Sequence, residues 1–177
     1  LERLDEPNVS RKLPERESVE DLQEALREYF EADRESTVAV VGVDIYRYSS
    51  FDTDRQRLVP LVFRLILDST LADLCQREAL FFPDLPRRYQ SDFISTGDGG
   101  FLIVTSPLAA LAFAIYFEAH LQWFNSYISN PNLRAVLGPL TVRWAITYDT
   151  VFSFENNSFG TALITNARLL ASDRLNR

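Results

Sequence analysis

Thr37–Ile45, TVAVVGVDI, is the stretch on which the fold turns. β-Branched residues crowd it, and Val38, Val40, Val41 and Val43 leave neither of its alternating faces polar. A strand that is apolar on both faces is one covered on both sides, so the segment reads as a buried central strand. Asp44 breaks the pattern at the strand's end. A carboxylate there is the one feature of the segment that burial does not explain.

Toward the C-terminus, Leu58, Leu61, Val62 and Leu65 recur at helical spacing. They predict an amphipathic helix to about Gln76, with Pro60 either in its first turn, where a missing N–H is harmless, or at a kink. Pro83, Pro86, Arg87 and Arg88 predict a loop. QSDFIST (90–96) and GFLIVT (100–105) read as strands joined at Gly97-Asp98-Gly99, a hairpin with a glycine-bracketed turn. Ser106-Pro107 signals a helix start, and residues 107–127, rich in alanine and aromatics, predict a long, largely buried helix. A loop around Asn130-Pro131-Asn132 leads to LTVRWAITYD (140–149) and VFSF (151–154), read as two further strands. A last helix is expected from Thr161 to about Leu175.

Toward the N-terminus the character changes. Residues 1–16, with Pro7, Pro14 and mixed charge, read as a linker or arm. A helix is expected from Ser18 as N-cap, with Leu22, Leu26, Tyr29 and Phe30 on one face. The division is therefore a charged arm and helix over 1–36 and a domain over 37–177. The order strand–helix–hairpin–helix–hairpin–helix predicts an α/β fold, an α+β sandwich whose mostly antiparallel sheet is covered by helices.

Composition narrows the function. The chain has 177 residues, 46% of them hydrophobic, enough for one packed core. Its net charge of −7 is concentrated in residues 1–36, which hold 12 acids against 6 bases, and no basic groove is evident, so a nucleic-acid partner is not expected. The only lysine is Lys12. No run reaches the ~20 apolar residues of a membrane span, so no membrane partner is expected. Cys75 has no second cysteine to pair with and reads as a structural thiol in a cytoplasmic protein. His120, the only histidine, lies in the long helix away from the candidate motifs and reads as a packing or surface residue. The chain contains no Ser/His/Asp set, zinc spacing or GxxxxGK[ST] phosphate loop.

The chemistry candidates are Asp44 at a strand end and Asp98 in a tight turn. Carboxylates are hard oxygen ligands suited to Mg²⁺ or Mn²⁺, and two at neighbouring strand ends can hold a pair of ions for in-line phosphoryl chemistry. Their surroundings resemble the class III nucleotidyl cyclases, in four motifs over about residues 38–173. The first metal motif, D-I-x-x-F-T/S, is matched by Asp44-Ile45-Tyr46-Arg47-Tyr48-Ser49, and the G-D hairpin by Thr96-Gly97-Asp98-Gly99-Gly100-Phe101. The strand R-x-G-I-x-x-G is echoed by Arg143-Trp144-Ala145-Ile146-Thr147-Tyr148-Asp149. The helix G-x-x-V-N-x-A-x-R-L is echoed from Gly160 to Leu169.

This resemblance implies a cyclase homology domain of ferredoxin- or palm-like fold, acting on a nucleoside triphosphate as a homodimer with its sites at the interface. By position it implies two Mg²⁺ or Mn²⁺ ions held by Asp44, Asp98 and the backbone carbonyl of Ile45, with Arg168 stabilising the transition state. Tyr48 and Ser49 fall in the substrate-binding turn. The family's ribose-orienting asparagine is Ile164 here, with Thr165 and Asn166 as off-register substitutes. Its triphosphate-binding lysine lies beyond the last helix, so the C-terminal end of the domain is expected to be incomplete at Arg177.

The base selectors depart most. The purine enzymes' lysine, four residues before the second aspartate, is Ile94, and their second selector is Asn157. Neither the lysine–aspartate pair of adenylate cyclases nor the glutamate–cysteine-like pair of guanylate cyclases is present. The pattern is most similar to the pyrimidine cyclases of bacterial Pycsar antiphage systems, which implies UTP or CTP as substrate and a product that signals in defence. The Tyr48 hydroxyl is expected to shrink the base pocket. The alternatives are an adenylate or guanylate cyclase, and a catalytically silent cyclase-like module that binds nucleotide or only dimerises.

Overall fold

The computed structural model describes residues 18–21, 23–24, 36–82, 93–126, 131–154 and 157–172. The chain divides into two compact units, Leu1–Arg34 and Glu35–Arg177. In the first, Asp21 donates its backbone N–H to Ser18 Oγ at 3.0 Å, the N-cap bond expected of Ser18. The apolar face at Leu22, Leu26, Tyr29 and Phe30, the loop at Pro83 to Arg88 and the chain after Ser172 lie outside the described residues.

Among the described residues the second unit is built on five strands, β1 (Ser36–Ile45), β2 (Phe93–Ser95), β3 (Gly99–Val104), β4 (Val142–Phe154) and β5 (Asn157–Phe159). They lie in the order β2-β3-β1-β4-β5 and every neighbouring pair is antiparallel. TVAVVGVDI is the central strand, as its composition predicts. Helices α1 (Thr53–Arg77) and α2 (Pro107–Asn125) cover one face, where Ala39, Val41, Val43 and Ile45 join Val62, Leu67, Phe113 and Phe117 in the main core. Trp144 of β4 closes that layer edge-on to Phe117, with ring centroids 5.3 Å apart. Helix α4 (Thr161–Leu170) covers the other face, where Val40 meets Val151 and Ala162. The α/β sandwich is the one expected from the order of elements.

Three local readings are corrected. Helix α1 begins at Thr53, capped by the Asp52 carboxylate on the Arg55 N–H, so Pro60 lies inside the helix rather than in its first turn. Residues 140–154 do not form two strands. Thr150, left between them, pairs with Thr37, because the ladder of β4 on β1 runs uninterrupted from Val142 to Val151. The last residues of β4 then pair with β5, which the sequence reading missed. Pro131, placed in a loop, begins a short helix α3 (Pro131–Leu137), where proline's fixed φ suits the first turn. No helix among the described residues is long and apolar enough to cross a membrane.

Candidate active site

Strand parity sets the site. Odd residues of β1 face α1 and α2, so Val40, Gly42 and Asp44 face α4. Asp44 lies opposite Gly99 on β3 and opposite Arg143 on β4, which brings three distant parts of the sequence to one point. The turn carrying Asp98 is fixed by its glycines. Gly97 stands at φ 101°, a conformation that side chains disfavour, and a Cβ on Gly99 would lie 2.1 Å from the Val43 carbonyl. Ile45 N–H donates to the Asp98 carbonyl at 3.0 Å, and Thr96 N–H to the Gly99 carbonyl at 3.1 Å. The motif G-D-G is thus a close-approach device that presses the Asp98 turn against the end of β1.

Two carboxylates result, and they repel. Burial, and after it the charge of Asp44, push the Asp98 carboxyl above the ordinary aspartate value, and Arg143 only partly opposes them. Asp44 is hydrogen-bonded by Arg143, whose Nε donates to Oδ2 at 2.9 Å and whose Nη2 donates to the same oxygen. Both side chains are largely covered, at 18% exposure for Asp44 and 22% for Arg143. Arg143 is the site residue that the sequence reading did not assign. It was visible as the arginine of a motif, but its role follows only from a register linking residues 99 positions apart.

The donor set suits a hard divalent cation. Asp44 and Asp98 offer carboxylate oxygens with excess negative charge, which such a cation would relieve, and Ile45 follows Asp44 at the end of β1. Among the described residues no cluster of three or more His, Cys, Asp or Glu side chains could hold a metal ion by itself. An Mg²⁺-type site, in which one or two carboxylates are completed by water and substrate phosphates, is the kind this geometry fits.

The remaining candidates fall further out. Ser49 is exposed in the 3₁₀ turn Tyr48–Ser50 that follows β1. Tyr48 is half-buried, and its hydroxyl donates to the Gln56 carbonyl of α1 at 3.0 Å. Ile94 is on β2 and Asn157 on β5, the two edge strands, so three strands separate the residues at the selector positions. Arg168 is exposed on α4. The inward residues of that helix are Ala162, Asn166 and Leu170, and two residues beyond Asn166 the helix has turned ~200°, which points Arg168 outward.

Asn166, a possible substitute for the ribose-orienting residue, is fully buried instead. Its Nδ2 donates to the carbonyls of Val40 at 2.8 Å and Ala145 at 3.0 Å, with Thr147 Oγ1 at 3.2 Å. Ile164 and Thr165 are exposed. His120 lies on the helical layer, on the opposite face from Asp44. It does have an acidic neighbour, since Nε2 is 3.2 Å from Asp73 Oδ2 of α1. Burial pushes the half-buried Cys75 thiol above its ordinary value.

The chain matches no protein-family model and no curated protein. Its fold is similar to that of a bacterial light-regulated adenylyl cyclase, with a TM-score of 0.54 and 13% identity over 78% of this chain. The chain spans only 40% of that protein. It is also similar to the monomeric guanylyl cyclase domain of the RhoGC fusion protein from the aquatic fungus Blastocladiella emersonii, with a TM-score of 0.53 and 13% identity over 79% of this chain and 78% of that one. The non-canonical dimeric form of the same fungal domain matches with a TM-score of 0.50 and 12% identity, over 79% of this chain and 76% of that one. At such identities the likeness speaks for architecture alone: the chain has the fold of the adenylyl and guanylyl cyclase domains.

Proposed function

We propose that the chain is a nucleotidyl cyclase that converts UTP or CTP, with UTP favoured, to the 3′,5′-cyclic nucleotide and pyrophosphate. It would act as a homodimer with two composite sites at the interface. The observation that carries this reading is the convergence of Asp44 and Asp98 at the end of the central strand, in the fold shared with adenylyl and guanylyl cyclase domains. In the reaction the ribose 3′-oxygen bonds to the α-phosphorus, the bond from that phosphorus to the β-phosphate bridge breaks, and the hydroxyl proton passes to solvent.

Asp44, Asp98 and the Ile45 carbonyl would hold two Mg²⁺ or Mn²⁺ ions, whose chemistry is to acidify the 3′-hydroxyl and to neutralise the triphosphate. Arg143 already sits at the carboxylates, and its forked N–H groups can pass from Asp44 to triphosphate oxygens, which they match equally well. Arg168 points away from the carboxylates of its own chain, so it is suited to stabilise the charge developing at the α-phosphate in the partner's site. The base preference rests on Ile94 and Asn157. Isoleucine cannot donate to a purine edge, whereas asparagine supplies both a donor and an acceptor. With such a product, cyclic UMP or cyclic CMP, the protein would act as a second-messenger synthase in antiphage defence.

Incubation with each of the four nucleoside triphosphates and Mn²⁺, read by mass spectrometry, tests this. Cyclic UMP or cyclic CMP is the expected major product. ATP or GTP as the best substrate refutes the pyrimidine reading and leaves a purine cyclase. No product from any of the four overturns the enzyme reading in favour of a binding or dimerisation module.

A further inference from the structure

Pro60 lies well inside α1 and has no N–H to donate. The acceptor deprived by it is the carbonyl four residues earlier, that of Gln56. The Tyr48 hydroxyl donates to that same carbonyl, at 3.0 Å. Tyr48 comes four residues after Asp44, in the turn connecting β1 to α1. That turn is closely determined elsewhere too. Tyr46 N–H donates to the Thr141 carbonyl at 2.8 Å, and Ser50 returns its N–H and its hydroxyl to the Arg47 carbonyl at 2.9 and 2.7 Å. Arg47 stands at φ 58°, a left-handed conformation that a residue with a side chain adopts only when its surroundings hold it there. The Tyr48 ring packs edge-on against Phe51, with centroids 6.4 Å apart.

We propose that Tyr48 is a positioning residue: its phenol replaces the N–H that Pro60 lacks, and this bond anchors the Tyr46–Phe51 turn to α1 so that Asp44 and Ile45 stay aligned against Asp98. The inference rests on the reading of Asp44 and Asp98 as cation-binding carboxylates. It assigns the Tyr48 hydroxyl to the scaffold of the site instead of to a base. Tyr48 and Pro60 then form a matched pair. With alanine at position 60 the helix regains its own N–H donor to Gln56, and the phenol becomes dispensable to the helix but not to the turn.

The test compares the intact chain with Tyr48→Phe, Pro60→Ala and the double variant. Two quantities are read, the Mn²⁺ dissociation constant from titration followed by electron paramagnetic resonance, and the urea midpoint. Tyr48→Phe alone is expected to weaken Mn²⁺ binding by about threefold to tenfold, the scale of one hydrogen bond, and to lower the urea midpoint. Pro60→Ala should leave Mn²⁺ affinity unchanged, because the Gln56 carbonyl can accept from both donors, and in its background Tyr48→Phe should still weaken Mn²⁺ binding by about threefold to tenfold while lowering the urea midpoint less. No loss of Mn²⁺ affinity from Tyr48→Phe, or an equal fall in the urea midpoint in both backgrounds, overturns the proposal. If the intact chain takes up no Mn²⁺, the cation reading falls and the positioning role with it. Coupling of the two residues in the urea midpoint would then mark the failure as that of the cation site and not of the Tyr48–Gln56 bond.

Discussion

Gly42→Ala would strike the seam that holds α4, and Arg168 with it, against the sheet. A Cβ on Gly42 would lie 2.0 Å from Asn166 Oδ1 and 2.7 Å from Leu170 Cδ1. Ordinary contacts begin at 3.4 Å, so either α4 lifts or the Asn166 side chain rotates. Rotation breaks the bonds from Nδ2 to Val40 and Ala145, which tie the helix to β1 and β4 at once. Overpacking of this kind costs about 1–3 kcal/mol, and each lost bond about 0.5–1.5 kcal/mol more. The sum, roughly 2–6 kcal/mol, is a large part of a total stability of about 5–15 kcal/mol. In an Asn166→Ala background the amide is gone and only the flexible end of Leu170 opposes the new methyl group. Gly42→Ala should then cost about 1 kcal/mol, a coupling of roughly 2 kcal/mol between the two sites. Urea unfolding of the four proteins, compared at constant slope, measures it. Costs that add to within about 0.5 kcal/mol would refute the claim that Asn166 and Gly42 set the height of α4.

Other outcomes bear on the site more directly. Asp44→Ala and Asp98→Ala should each abolish turnover in a folded protein, and near-normal activity of either with Mn²⁺ would remove the metal assignment. Mixing Asp44→Ala chains with Arg168→Ala chains, each inactive alone, should restore part of the activity through one intact composite site; no rescue in proven heterodimers refutes the shared site. Asp98, raised in the folded state, contributes stability that is full below its unfolded value near ~3.9 and is lost as pH rises through the folded value. Asp98→Asn should therefore melt higher than the parent near neutral pH. The gap should close on acidification and shrink when Mn²⁺ is added to the parent. A gap that does not change with pH contradicts the crowding of Asp98 by burial and Asp44.

Much of the architecture was carried locally. The composition of TVAVVGVDI fixes a buried strand because only a doubly covered strand tolerates apolar residues on both faces. Gly97-Asp98-Gly99 fixes a turn because a positive φ and a close backbone approach each demand glycine. Ser106 caps α2, accepting from Ala109 N–H at 3.2 Å, and that bond needs only residues three apart. What tertiary structure alone decided are the relations between such pieces. The polar Asp149-Thr150 reads as the end of one strand and the gap before the next, yet the β1 ladder carries β4 straight through it. Asn166 looks like a free helix polar group until the carbonyls of two strands claim its amide. Arg143 meets Asp44, and the Tyr48 hydroxyl finds the carbonyl deprived by Pro60, through sheet register and helix placement. Spacing along a chain specifies which face a side chain occupies, whereas its partner is whatever distant segment packs against that face. That is why the two carboxylates were legible in the sequence and the residues that neutralise and brace them were not.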